Sequence, residues 1–156
     1  MGLFGKILSA VDTGISGLKA MPGNVQLLTD AGRGDANAQN TLGMMFFSGQ
    51  PGWGKDLAEA GRYFHMAAEQ GHPNAQSHLY IMYMTGLGKK KDIAQGLYWL
   101  NQAAGQGYHP AQCQLGTHYA QGDEAVPKDT QKALFWLRLS AAQGNPLAQT
   151  TLSEMQ

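Results

Sequence analysis

The sequence predicts an all-α fold, a right-handed α-solenoid of stacked helix-turn-helix units. The prediction rests on an internal repeat, on the spacing of apolar residues and on the position of helix-capping residues. The repeat is marked by glycines every 36 or 37 residues, at Gly34, Gly71, Gly107 and Gly144. A period of this length is typical of helical hairpins, which bury their apolar faces against neighbouring hairpins. We therefore expect three full units and a half unit at each end.

The first helix of each unit, helix A, follows the marker glycine and carries an apolar stripe. In the first unit the stripe contains Ala38, Leu42 and Phe46, at intervals of four residues. This interval places the three side chains on one face of an α-helix. Prolines stand at the start of three later helices A, at Pro73, Pro110 and Pro146. Proline is tolerated in the first helical turn, where its missing N–H is not needed.

A glycine and an aspartate separate helix A from the second helix of the unit, helix B. The glycines suit a C-terminal cap with positive φ, and they are Gly49, Gly86 and Gly122. The aspartates are favoured N-caps of helix B, and they are Asp56, Asp92 and Asp129. Helix B then has its own apolar stripe, with Ala60, Tyr63, Phe64, Ala67 and Ala68 in the first unit. Each unit is thus predicted to have the order helix A, loop, helix B.

Aligned in this way, the units resemble Sel-one-like repeats, a family related to tetratricopeptide repeats. The third unit carries the resemblance most fully, with Gly107, Ala111, Gln112, Leu115, Gly116, Tyr119, Gly122, Asp129, Ala133, Trp136, Ala141 and Gly144. The second unit departs from the family pattern at Tyr80, where glycine is usual, and at Gly96, where alanine is usual. The resemblance implies a solenoid over residues 34–156 that assembles or regulates protein complexes, commonly in bacteria.

Residues 1–33 are predicted to form an amphipathic helix followed by a capping helix. The apolar positions of the first helix share one face, and they are Phe4, Ile7, Leu8, Val11, Ile15 and Leu18. Three roles remain open for this helix: a cap on the first repeat, a segment that binds a partner or covers the groove, or a helix at a membrane surface. At the other end, residues 145–156 supply only a helix A and are expected to cap the solenoid.

Apolar residues on the outward side of helices A predict a partner-binding surface. They stand two and five positions after the inward leucine, at Met44, Phe47, Ile81 and Met84. Polar residues one position before that leucine are expected to flank them, at Thr41, His78 and Gln114. Methionine adapts to irregular partner surfaces, and exposed apolar patches often mark interaction sites. The alternative is that neighbouring helices bury these side chains.

Charge and residue placement argue against several other functions. Eleven basic residues balance eleven acidic ones, so we do not expect nucleic-acid binding. A single cysteine, Cys113, and eight methionines favour a reducing compartment, and no segment approaches the length of a membrane span. The five histidines lack metal-ligand spacing, and no nucleophile or phosphate-binding motif is present. We expect a cytoplasmic protein without metal, cofactor or enzymatic activity.

The sequence therefore predicts a non-catalytic protein–protein interaction module, an adaptor, scaffold or regulator. The partner is expected to bind in the concave groove lined by helices A and on the N-terminal helix. A narrower alternative is a dedicated inhibitor, such as an immunity-type protein that neutralises a toxin or effector. An enzyme or a membrane-surface protein is a further alternative, although 156 residues leave no room for an appended catalytic domain.

Overall fold

The computed structural model describes residues 22–51, 53–123 and 125–155, and over these residues it contains eight α-helices and no strand. In chain order they are α1 (Pro22–Gly32), α2 (Ala36–Ser48), α3 (Leu57–Glu69), α4 (Pro73–Thr85), α5 (Ile93–Gly105), α6 (His109–Gln121), α7 (Thr130–Ala142) and α8 (Pro146–Glu154). Helices α2, α4, α6 and α8 are helices A, and α1, α3, α5 and α7 are helices B. Each helix packs on the next one along the chain. The predicted fold of stacked helical hairpins is confirmed.

Helices A also meet one another. Helix α2 contacts α4, and α6 contacts α8, although a helix B stands between the two members of each pair in the chain. The predicted amphipathic helix with Phe4, Ile7, Leu8, Val11, Ile15 and Leu18 lies outside the described residues. None of the helices in the described ranges is both long enough and apolar enough to cross a membrane.

The caps between helices A and B form as predicted. Glycines with a φ of 71°, 79° and 75° follow α2, α4 and α6, and they are Gly49, Gly86 and Gly122. A positive φ is strained for residues with a Cβ, which explains the choice of glycine. The aspartate before each of α3, α5 and α7 accepts a hydrogen bond from the backbone N–H three residues later, as Asp56 does from Glu59 at 2.9 Å. One otherwise unpaired N–H of the first turn is thereby satisfied.

The core between helices is built from small residues and from one leucine per helix A. Fully buried alanines occur in both kinds of helix, as at Ala60 in α3 and Ala75 in α4. The leucines of the helix A stripe, Leu42, Leu79 and Leu115, are at most 1% exposed. At Gly43 the helices approach so closely that a Cβ would lie 2.6 Å from the Phe64 ring. Small residues thus set the distance between helices A and B.

Buried glutamines join each unit to its neighbour. Gln76 of α4 is 3% exposed, and its amide nitrogen donates to the carbonyl oxygen of Ala68, near the end of the preceding helix B, at 3.1 Å. Its side-chain oxygen accepts a hydrogen bond of 2.8 Å from Gln106, the residue that ends helix B of the same unit. One side chain therefore connects three consecutive helices.

The same arrangement occurs in the units before and after. Gln39 bonds to Ala31 and Gln70 in the first unit. Gln112 and Gln143 form the equivalent pair in the third unit. We call this series the glutamine ladder, formed by Gln39, Gln70, Gln76, Gln106, Gln112 and Gln143. Because buried amide groups are costly when they lack partners, the ladder fixes the register of one unit on the next.

Replacing Gln76 with leucine is expected to lower the free energy of unfolding by about 1–3 kcal/mol, since the Ala68 carbonyl and the Gln106 amide lose their buried partner. Urea denaturation of purified protein measures this change. The matched control is Gln149→Leu, at the same repeat position in α8 but exposed, where the change should stay within about 0.5 kcal/mol. Equal losses in the two variants would contradict a stabilising role for the ladder.

Candidate functional site

Helices A present a surface that is almost free of charge. The sequences of α2, α4, α6 and α8 contain no lysine, arginine or aspartate, and Glu154 is their one carboxylate. The other charged residues of the described ranges lie on helices B, at helix caps and in loops. We call the solvent-facing side of these four helices the A face. It can recognise a ligand by apolar contact and by neutral hydrogen bonds.

The apolar residues predicted for binding lie on the A face at two depths. Met44 of α2 and Ile81 of α4 are 40% and 38% exposed, and they occupy equivalent positions in contacting helices. Phe47 is half-buried, with its ring 6.3 Å from that of Phe64. Met84 is also half-buried and packs against the cluster between α4 and α5. Met44 and Ile81 therefore offer most of the accessible apolar surface of this set.

The polar residues predicted to flank this patch have different surroundings. Thr41 is exposed, but its hydroxyl donates to the carbonyl oxygen of Asn37 at 2.8 Å. Gln114 is exposed on α6. His78 is half-buried and stacks on Phe64, with ring centroids 4.4 Å apart and an interplanar angle of 16°. A ligand bound at the A face would meet an aromatic ring at His78 and a carboxamide at Gln114.

Two histidines, one at the N-cap of α4 and one in the middle of this helix, favour their neutral forms. His72 is the N-cap of α4, and its Nδ1 accepts a hydrogen bond from the Ala75 N–H at 3.3 Å. The proton therefore resides on Nε2, which lies 3.2 Å from the side-chain oxygen of Asn37. Burial lowers the pKa of His72. Burial also lowers the pKa of His78, and the proximity of His72 adds to the effect.

A polar pair lies where α4 meets α6. The hydroxyl oxygen of Tyr80 and Nε2 of His118 lie 2.7 Å apart, within hydrogen-bond distance, and Nδ1 of His118 lies 3.7 Å from Oδ2 of Asp123. Tyr80 is only 5% exposed, and it occupies the position that glycine holds in the neighbouring units, at Gly43 and Gly116. The sequence marks Tyr80 as a departure from the repeat. It gives no sign of a hydrogen bond to a residue 38 positions away.

A cavity of about 450 Å³ opens beside this pair. Its neutral polar lining includes Gln114, Thr117 and Gln121. Its apolar lining includes Pro110, Cys113 and Leu147. Burial raises the pKa of the Cys113 thiol, so the thiol is protonated at neutral pH and is a weak nucleophile. Within the described ranges, no three side chains of the metal-binding types come together as a metal site.

The lowered pKa values of His72 and His78 make stability depend on pH. The unfolded chain titrates near the ordinary value of 6.5 and so binds protons before the folded chain does. The free energy of unfolding should therefore be highest above that pH and fall as the pH drops from about 7.5 to about 5. Thermal melts across this range measure the fall, and His78→Phe should make it shallower because Phe keeps the stacking on Phe64. An unchanged slope in this variant would contradict the assignment.

Comparison with known proteins agrees with the geometry. The model of the Sel1 repeat matches three times, at residues 36–72, 75–108 and 109–145. The crystal structure of a Sel1 repeat protein from Oxalobacter formigenes is 36% identical, with a TM-score of 0.77, over 86% of this chain and 99% of that one. A protective antigen of uropathogenic Escherichia coli strains, which displays an SLR fold, is 38% identical over 83% of this chain, also with a TM-score of 0.77. This chain spans only 27% of that antigen.

No curated protein matches the sequence. The three repeat matches nevertheless cover most of the chain, and they coincide with the three helical hairpins α2–α3, α4–α5 and α6–α7. The chain belongs to the Sel1 repeat family, whose members are typically non-catalytic modules for protein–protein interaction.

Proposed function

We propose that this protein is a non-catalytic adaptor or regulator that binds a partner protein across the A face. The observation that carries the proposal is the pair of exposed apolar residues Met44 and Ile81 on adjacent helices of an uncharged surface. Contiguous apolar patches on a soluble protein commonly mark interaction sites. The flexible side chain of Met44 can adapt to the shape of the partner.

The remaining predicted residues differ in how much surface they offer to the partner. Phe47 and Met84 are half-buried and pack against the clusters that contain Phe64 and Tyr80, so they contribute less accessible surface than Met44 and Ile81. Thr41, His78 and Gln114 provide polar or aromatic contacts along the same face. On α6 the positions equivalent to Ile81 and Met84 are Thr117 and Ala120, so the apolar residues at these positions in α2 and α4 are not repeated in the third unit. The partner should therefore be apolar where it meets α2 and α4 and more polar where it meets α6.

The proposal also keeps a binding role for the predicted N-terminal helix within residues 1–33, next to a solenoid over residues 34–156. A cytoplasmic location belongs to the same proposal, because a free thiol at Cys113 and eight methionines suit reducing conditions.

Combining Met44→Glu with Ile81→Glu is expected to weaken partner binding at least about tenfold, because two carboxylates would be buried against an apolar surface. The wild-type chain first isolates the partner, mass spectrometry identifies it, and the affinity is then measured with purified components. Circular dichroism should show an unchanged fold, since both side chains are exposed.

Phe135→Glu is the matched control for this double variant. Phe135 is 56% exposed on α7, a helix B, so the same charge is placed on an exposed apolar residue away from the A face. The control should bind the partner with wild-type affinity. Retention of the partner by the double variant, or its loss from the control, would refute the proposal.

The affinity should vary less than about threefold between about 50 mM and about 500 mM NaCl, because salt mainly screens interactions between charges and the A face carries almost none. Isothermal calorimetry at several salt concentrations measures this. A steep fall with salt would place the partner on the charged loops instead, such as the segment with Lys89, Lys90 and Lys91.

A further inference from the structure

The polar pair of Tyr80 and His118 is not needed for stacking the repeats. At the positions of this pair, the junction between the first and second units has Gly43 and Met82, and Met82 is fully buried. That apolar combination packs well at one junction, yet the next junction has a phenol and an imidazole instead. Buried polar groups destabilise a fold unless they are paired, so they are seldom used where apolar packing suffices. The substitution therefore points to recognition rather than to packing.

The hydrogen bonds of the pair leave an acceptor at the edge of the cavity. Because Asp123 faces Nδ1 of His118, that nitrogen carries the proton and Nε2 accepts from the Tyr80 hydroxyl. Burial, and to a smaller extent the charge of Asp123, raise the pKa of Tyr80, whereas a hydrogen bond from the side chain of Gln114 lowers it; the net direction is upward, so the hydroxyl stays protonated. Since the Gln114 amide donates to the phenolic oxygen, the acceptor that remains at the edge of the cavity is the side-chain oxygen of Gln114.

The carboxylate of Asp123 is already held by groups of the protein. Its Oδ1 accepts hydrogen bonds from the N–H groups of Val126 at 2.7 Å and Ala125 at 2.8 Å, and its Oδ2 faces His118. These two N–H groups hold the pKa of Asp123 below its usual value. The carboxylate faces His118 and is not among the residues that line the cavity, so it does not supply an anion inside it.

The rest of the lining is neutral and can both donate and accept. Gln114 and Gln121 carry carboxamides, which have two donor hydrogens and one acceptor oxygen each. The Thr117 hydroxyl donates to the Cys113 carbonyl at 2.9 Å, which leaves its oxygen as an acceptor. Among the lining residues that the structure describes, none is a lysine or an arginine. A carboxylate in this cavity would lack a cation, and an ammonium group would lack a free anion.

We propose that the cavity beside Tyr80 and His118 is a specificity subsite for an uncharged carboxamide, the side chain of an asparagine or glutamine of the partner. A carboxamide has N–H donors and a carbonyl acceptor, and the neutral polar side chains of the lining can pair with both. Its methylene carbons would contact the apolar lining residues Pro110, Cys113 and Leu147. The volume of about 450 Å³ also accommodates the neighbouring residues of a bound segment. This inference rests on the proposed function, because the partner supplies the side chain.

The test uses N-acetyl-glutamine-N-methylamide as a probe, with the full chain labelled with nitrogen-15. We expect saturable chemical-shift changes at the backbone amides of Thr117, His118 and Gln121. The matched probes, N-acetyl-glutamate-N-methylamide and N-acetyl-norleucine-N-methylamide, should bind at least about tenfold more weakly, since each lacks part of the donor and acceptor pattern. Absence of saturable changes with the glutamine probe, or equal binding of either matched probe, would overturn the proposal.

Two variants examine the pair itself. Tyr80→Phe removes only the hydroxyl, and His118→Met installs the residue that Met45 and Met82 supply at the equivalent positions. Each should weaken binding of the glutamine probe about tenfold with the fold retained. Tyr83→Phe, on the same helix but outside the lining, is the control and should leave binding unchanged. Wild-type probe affinity in both Tyr80→Phe and His118→Met would overturn the proposal.

The subsite and the proposed function can fail separately. If the Met44→Glu and Ile81→Glu double variant loses the partner but still binds the glutamine probe, both stand. If the wild-type chain does not bind the glutamine probe but the double variant loses the partner, the carboxamide subsite is refuted and the proposed function is supported. If the wild-type chain binds the glutamine probe but the double variant keeps the partner, the proposal that the partner binds through Met44 and Ile81 is refuted. The cavity then remains a carboxamide site.

Discussion

The pairing of a buried glutamine of each helix A with an exposed glutamine at the end of the following helix B is the interaction on which the rest of the solenoid depends. Each glutamine in the middle of the ladder touches three consecutive helices, as Gln76 does with Ala68 and Gln106. Apolar stripes alone tolerate sliding, because alanine and leucine pack in several registers, whereas hydrogen bonds have one geometry. If one unit shifted along the next by one helical turn, both hydrogen bonds of the buried glutamine would be lost. The alignment of Met44 with Ile81 on adjacent helices follows from this register, and so does the contact of Tyr80 with His118.

Almost all of the charged residues in the described ranges lie apart from the A face, the surface that we propose for partner binding. The aspartates that cap helices B and the lysines of the loops lie outside helices A, where they assist folding and solubility. Helices A can then differ from unit to unit without placing like charges beside each other. Their solvent-facing residues change from apolar in α2 and α4 to polar in α6. A single partner segment lying across these helices would therefore meet two kinds of surface.

Features determined by near neighbours in the chain could be predicted from the sequence. The caps at Gly49 and Asp56 depend on residues three or four positions away, and the apolar stripes depend on the pitch of one helix. Features that depend on contacts between two units could not be predicted from the sequence. The spacing of Phe47 and His78 predicts outward-facing residues, yet both are half-buried because they meet Phe64 and each other across the repeat boundary. The repeat places Gln39, Gln76 and Gln112 at equivalent positions, but their partners lie about 30 residues away in the chain.

The ladder and the A face use different sides of the same helices, and this has a consequence for protein engineering. On α4, Gln76 points into the stack while Ile81 points to solvent. Equivalent positions on α2 and α6 show the same division, with Met44 and Thr117 reaching the surface. A combinatorial library that randomises residues 44, 81 and 117 leaves every hydrogen bond of the ladder in place. The chain is therefore a scaffold in which new recognition can be selected independently of the interactions that hold its units together.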